Sequence, residues 1–306
     1  MKQHRLCLGF GMILGLASPF LSTAGDLKFH PAPAGAGFVF DTGVLRGELR
    51  TGGKSQGLTR VVHVPTGAVL DKSMGLAGHY RVFTVNRRYG TAAWEWPSEA
   101  VLTAEGRVEV RWPAQPDRPF ELGAVYGWAA PDTLEVVTTV RAMTHLAGFE
   151  SFLACYFNEA FTNARVYVAE LPGSAKKGFL PATPEGGTWQ VYPRDAAAMG
   201  LVRDGRWTMP PSPVAWAERP ALAGPLGLRH APQLGLTAVL MARPEECFAV
   251  MTPHELEGHH SMYLSLLGRD LEQGEAARAR ARLWITSGLA EERVMAEYER
   301  FLKGRE

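Results

Sequence analysis

The segment Val108–Trp112 reads VEVRW, which puts Val108, Val110 and Trp112 on one side of an extended chain and Glu109 and Arg111 on the other. Side chains alternate across a strand, so this period of two specifies a half-buried β-strand and excludes an amphipathic helix. The same texture recurs along most of the chain. FVFDTGVLRGEL (38–49) reads as a bent strand pair and VVHV (61–64) resumes a strand. PFELGAVYGW (119–128) and TLEVVTTVRA (133–142) follow, with residues 129–132 as the turn between them. FESFLACYF (149–157) is apolar without a break, as expected of a strand covered on both faces, and ARVYVAE (164–170) alternates again. Strand texture returns in LTAVLMA (236–242), CFAVMTP (247–253), SMYLSLLG (261–268) and ARARLWIT (279–286). The chain's 33 glycines and 21 prolines place turns between these runs, and the sum is a long antiparallel meander. Between about 171 and 232 the pattern dissolves into proline, glycine and scattered tryptophans (Trp189, Trp207, Trp216), a length of loop that usually serves function. Only the end is helical in pattern: Val294, Met295, Tyr298, Phe301 and Leu302 share one face over about 288–303. Ser287 or Gly288 would cap that helix, with Glu291 and Glu292 in its first turn.

At 306 residues, 46% of them hydrophobic and 21% charged, the chain is long enough for one large globular domain, and no repeat or linker divides it. Residues 1–24 read as a signal peptide: Lys2, His4 and Arg5 form a basic start, an apolar run follows from Leu6 to Phe20, and Ser22 and Ala24 are small residues at cleavage-site spacing. A single domain over 25–306, exported to the periplasm or the extracellular space, is the expectation. Cleavage would take two of the 32 basic residues and none of the 31 acidic ones, leaving a formal charge of −1. That balance, without a basic block, argues against nucleic acid and against an anionic membrane as partners. Cys155 and Cys247 remain in an oxidising compartment, where a disulfide and two buried thiols are both open. The arginines of RARARL (278–283) alternate with small residues and read as the outer face of a strand.

The stretch GHYRVFTVNRRYGTAAWEWPS (78–98) packs His79, Tyr80, Arg81, Arg88, Tyr89 and Trp94 between short apolar residues. Aromatic faces attract the polarised C–H groups of a sugar ring, and arginine and histidine supply donors to its hydroxyls, so the stretch reads as a wall of a saccharide site. The competing reading is a pair of strands whose aromatics are core. HELEGHH (254–260) concentrates three histidines and two glutamates, yet it fails the His-Glu-x-x-His spacing of a zinc helix because Gly258 stands where the second histidine is needed. Read as a loop, it would touch a sugar, face solvent or ligate a metal such as zinc.

The order of these segments resembles the aldose 1-epimerase, or galactose mutarotase-like, family. RYGTAAWEW (88–96) resembles its His-Gly motif followed by an arginine and a tryptophan, and FESFLACYF resembles its segment ending in His-Pro-Tyr-Phe. FAVMTP resembles its Glu-Pro segment and LEQGE (271–275) its late Leu-x-x-Gly-Glu turn. The resemblance implies an all-β fold, an antiparallel β-supersandwich with a carbohydrate cleft across one sheet. It also places the family's acid, base and sugar-holding histidine at Ala154, Thr252 and Tyr89, so that ordinary mutarotase chemistry is expected to be lost or replaced. The expected replacement groups are His79, Arg81 and Glu255 as catalytic candidates, with Arg88, Tyr89, Trp94, Tyr156, His254 and His260 binding substrate. A mono- or oligosaccharide is the expected partner, and no metal and no cofactor is expected. Three functions stay open: a carbohydrate isomerase, epimerase or lyase with non-standard groups, a non-catalytic carbohydrate-binding module and, more distantly, a metal-dependent hydrolase centred on 254–260.

Overall fold

The computed structural model describes residues 25–33, 37–52 and 54–304. The expected signal peptide, 1–24, lies outside the described residues. The alternating segments form three sheets. A five-stranded sheet at the start includes the strand pair Phe38–Asp41 and Leu45–Arg50, joined through a turn at Gly43 (φ 82°). The other two sheets form the body of the sandwich.

The nine-stranded sheet runs, edge to edge, through Gly178–Pro181, Asn163–Val168, Leu222–Ala231, Leu236–Ala242, Ala276–Ser287, Thr133–Ala142, Phe120–Ala130, Val108–Trp112 and Glu99–Leu102. The seven-stranded sheet runs through Ala217–Glu218, Trp189–Pro193, Cys247–Pro253, Ser261–Leu271, Leu146–Tyr156, Gly78–Thr84 and Arg87–Arg88. Pairing is antiparallel except between Trp189–Pro193 and Ala217–Glu218. The two sheets bury alternate residues against each other: Val110, Leu122 and Val136 from one side meet Val82, Leu153 and Leu264 from the other. Val108–Trp112 buries Val108, Val110 and Trp112 and exposes Glu109 and Arg111, the alternation its sequence specifies. Cys155 and Cys247 are both buried free thiols, and burial pushes each up to about 12.

Helix α2 (Glu291–Lys303) lies on the outer face of the nine-stranded sheet, where Val294, Tyr298 and Phe301 pack on Leu226, Met241 and Trp284. Its cap position is Ala290, which makes no side-chain cap bond; Ser287 is instead the last residue of its strand. Arg282, expected to be a solvated strand residue, is covered by this helix and pairs with Glu297 of α2 and Glu135 of the sheet. The proline- and glycine-rich region after 171 is more regular than its composition suggests. It contains the strands Gly178–Pro181, Trp189–Pro193 and Leu222–Ala231 and the helix α1, Ala196–Arg203, capped by the Asp195 carboxylate accepting from the Ala198 N–H at 2.8 Å. Among the described residues no helix is long and apolar enough to cross a membrane.

Candidate functional site

One face of the seven-stranded sheet meets the nine-stranded sheet; the other is the floor of a cleft. Which side chain takes which face is decided by a β-bulge. Along Gly78–Thr84, Val82 pairs with Ser151 and His79 with Leu153, so Tyr80 and Arg81 together oppose the single residue Phe152. The inserted residue shifts the alternation by one. His79 and Val82 face the core, while Tyr80, Arg81 and Phe83 face the cleft side.

The cleft has a volume of about 710 Å³. Phe152, Tyr156 and Tyr263 form its floor, and Tyr80 stacks on Trp94 behind it at 4.6 Å with the rings 6° from parallel. The Tyr263 hydroxyl donates to the Tyr156 hydroxyl at 3.2 Å. Burial pushes both phenols up, Tyr263 to about 12, so both are neutral at physiological pH. One wall is the segment after α1. It is fastened by a fully buried ion pair between Arg206 and Glu150 at 3.1 Å, and Trp207 donates its indole N–H to the same carboxylate. From this wall Trp216 stands edge-on to Tyr263 and to Trp189. The Ser212 carbonyl accepts from Nη2 of Arg81 at 2.8 Å.

The opposite wall is the loop 254–260. Glu257 accepts from the backbone N–H of His259 at 2.8 Å and faces its Nδ1 at 2.7 Å, and the His259 ring stands against Trp189 at 5.1 Å. Lys72 donates to the Gly258 carbonyl at 2.8 Å. Beneath the loop, Arg229 is fully buried and spends its N–H groups on the carbonyls of Phe161, Thr162, Pro253 and Ser261 and on the Thr252 hydroxyl.

Of the residues proposed from sequence, Arg81 and Tyr156 line this cleft, and Trp94 backs it through Tyr80. The others lie elsewhere. His79 is 0% exposed between the sheets, with Nε2 at 2.8 Å from the Thr138 hydroxyl, and its ring packs on Trp112; burial lowers its pKa to about 3. It is a core histidine, with no route to a substrate. Tyr89 is also core, edge-on to Phe120 and paired with the Thr84 hydroxyl. Arg88 gives its donors to the carbonyls of Gly90, Thr91 and Met209, which ties a turn to the wall segment. Neither His254, whose Nδ1 accepts from the Leu256 N–H, nor Glu255 lines the cleft. His260 is buried behind the loop with φ 48°. The histidines of HELEGHH therefore diverge, and among the described residues no group of three His, Cys, Asp or Glu is placed to hold a metal ion.

The family's motif positions are also redistributed. Ala154 is on the cleft face, but Thr252 points between the sheets to Arg229 and Tyr89 is core, so neither of those two stands where a cleft acid, base or ligand would be. Lys72, Trp189, Trp216, Glu257, His259 and Tyr263 also line the cleft, and none of them is among the residues expected from sequence to act on or bind the substrate. The tryptophans of the 171–232 region and the loop reading of HELEGHH were the signals that pointed toward four of them.

No protein-family profile matches the sequence, and no curated protein matches it. Solved structures do. A galactose mutarotase-like protein from Clostridium acetobutylicum is 9% identical with a TM-score of 0.50, covering 86% of this chain and 99% of that one. The galactose 1-epimerase from Lactobacillus acidophilus NCFM is 11% identical (TM-score 0.49; 87% and 100% covered), and a galactose mutarotase-like protein from Lactobacillus casei is 7% identical (0.49; 81% and 99%). The cleft-bearing sandwich of this chain has the galactose mutarotase-like fold.

Proposed function

We propose that this protein is exported and binds a saccharide in the cleft over its seven-stranded sheet. The observation that carries the reading is the cleft's composition. Six aromatic side chains (Tyr80, Phe152, Tyr156, Trp189, Trp216 and Tyr263) ring about 710 Å³, with Arg81, Lys72, Glu257 and His259 supplying hydrogen bonds among them. That volume is in the range of small-ligand sites, and apolar rings interrupted by a few directed polar groups suit the two faces and the hydroxyl rim of a pyranose. Export is supported by the basic start and apolar run of residues 1–24. Thermal unfolding with a panel of neutral and acidic mono- and oligosaccharides at millimolar concentration tests the reading. A ligand held by the folded state raises the midpoint by mass action. Absence of any shift across the panel would sink it.

A second reading, that the protein also transforms its saccharide, is favoured by the Glu257–His259 pair at the rim. A carboxylate 2.7 Å from an imidazole nitrogen fixes the tautomer and lets the other nitrogen exchange a proton with a substrate hydroxyl or ring oxygen. If it holds, polarimetry of freshly dissolved sugars, or absorbance of an unsaturated product, shows turnover that falls about 100-fold or more in His259→Ala. Turnover unaffected by His259→Ala and Glu257→Gln would remove the pair from the mechanism.

A further inference from the structure

We infer that the saccharide this cleft is built for carries an oxyanion (a carboxylate, sulfate or phosphate) and that Arg81 is the residue that holds it. The inference rests on the saccharide reading above and narrows it to a substrate class.

Arg81 is 4% exposed and lines the cleft. A guanidinium has five N–H donors. Nη2 donates to the Ser212 carbonyl at 2.8 Å and to the Tyr80 hydroxyl at 3.3 Å. Nε and Nη1 are buried and donate to no group among the described residues. Both of Arg81's partners are neutral, so a buried positive charge stands without a counter-charge from the protein. Leaving a cation in that condition costs several kcal/mol, and the same desolvation that makes it costly makes an arriving anion strongly favoured.

The surroundings add to this field. Lys72 stands in the same lining, and the positive charge of Arg81 is close enough to Arg88 to lower the latter's pKa, though less than burial does. Against these, the cleft wall carries one carboxylate, Glu257, which is occupied by two hydrogen bonds to His259. A neutral sugar would satisfy part of Arg81's donor capacity and leave its charge uncompensated. An oxyanion substituent would do both, while Tyr80, Trp189 and Trp216 pack on the ring.

Matched ligands separate this from simple sugar binding. Calorimetric titration of the whole protein with hexuronates of the gluco, galacto and manno series, their uncharged methyl esters, and the corresponding hexose sulfates and phosphates reads the preference directly. The expected result is at least about tenfold tighter binding of one charged ligand than of its neutral counterpart, which is the scale of one charge-assisted hydrogen bond set. The preference should shrink as salt is raised, and Arg81→Gln should bring the pair within about twofold. Which oxyanion wins identifies its source. Equal affinity for charged and neutral members overturns the inference and leaves the saccharide reading standing. Failure of every sugar to bind overturns both. The wild-type ratio decides the oxyanion preference even if Arg81→Gln does not fold, and a preference undiminished in a folded Arg81→Gln overturns the assignment to Arg81.

Discussion

Two arginines, one from each of the two large sheets, are both almost wholly buried, and they are used in opposite ways. Arg229 comes from the nine-stranded sheet, is 0% exposed and places its five N–H groups on four carbonyls and one hydroxyl. Arg81 is 4% exposed on the cleft face and engages two neutral acceptors from Nη2 alone. Burial is thus a poor guide to role for this residue type. What separates a strut from a binding group is whether the protein itself completes the hydrogen bonds, because a donor satisfied internally has nothing left to offer a ligand.

One pair of substitutions separates the two uses. Arg229→Met removes the donors that hold the strand ends Pro253 and Ser261 and the turn at Phe161, and it strands their acceptors in a dry interior. A loss of about 3–5 kcal/mol in unfolding free energy is expected from urea denaturation. Arg81→Met gives up two charge-assisted bonds to neutral acceptors and also relieves an uncompensated buried charge, two effects of similar size and opposite sign, so its expected change is under about 1 kcal/mol of either sign. Arg229→Lys, which keeps a charge with three donors, should fall between wild type and Arg229→Met, and it provides a measurable variant if the methionine form does not fold. Equal losses at the two positions would erase the distinction between strut and binding group.

The same contrast explains what could be read in the sequence. The strands were legible because alternation such as Val108, Val110, Trp112 is written residue by residue, and the terminal helix because Val294, Tyr298 and Phe301 recur at its period. The site was not, because its facing depends on register. His79 and Arg81 are two residues apart, and a regular strand would put them on one face, where sequence reasoning joined them into one catalytic group. The bulge opposite Phe152 sends them to opposite faces. A bulge is a property of the pairing and leaves no mark in GHYR itself. Likewise Thr252 and Met251 exchange roles by a single position: Met251 faces the cleft side and Thr252 the core. The tryptophans at 189 and 216 and the loop residues 257 and 259 converge only because distant segments fold over the floor.

The core-facing side of that bulge makes its own prediction, smaller than the arginine pair and confined to acid. His79 meets the Thr138 hydroxyl at Nε2, the Tyr126 hydroxyl at 3.4 Å from Nδ1 and the Trp112 ring. Tyr126 donates to the Ala77 carbonyl, and burial pushes its phenol still further up, so it stays neutral. None of these contacts is a carboxylate, and burial holds the imidazole pKa at about 3 against an ordinary value of 6.5. The unfolded chain therefore binds a proton that the folded chain refuses at every pH between those values. Stability from this group is complete above about 6.5 and declines as pH falls toward 3, by about 1.4 kcal/mol per unit in the middle of the window. His63 and His260, also lowered chiefly by burial, act in the same direction. In His79→Gln, whose amide does not titrate, urea unfolding followed from pH 6 to pH 4 should lose that share of its slope, even though the variant is less stable than wild type at neutral pH. Parallel curves for the two proteins would mean that His79 accepts its proton in the folded state and is less enclosed than its packing between Trp112 and Thr138 implies.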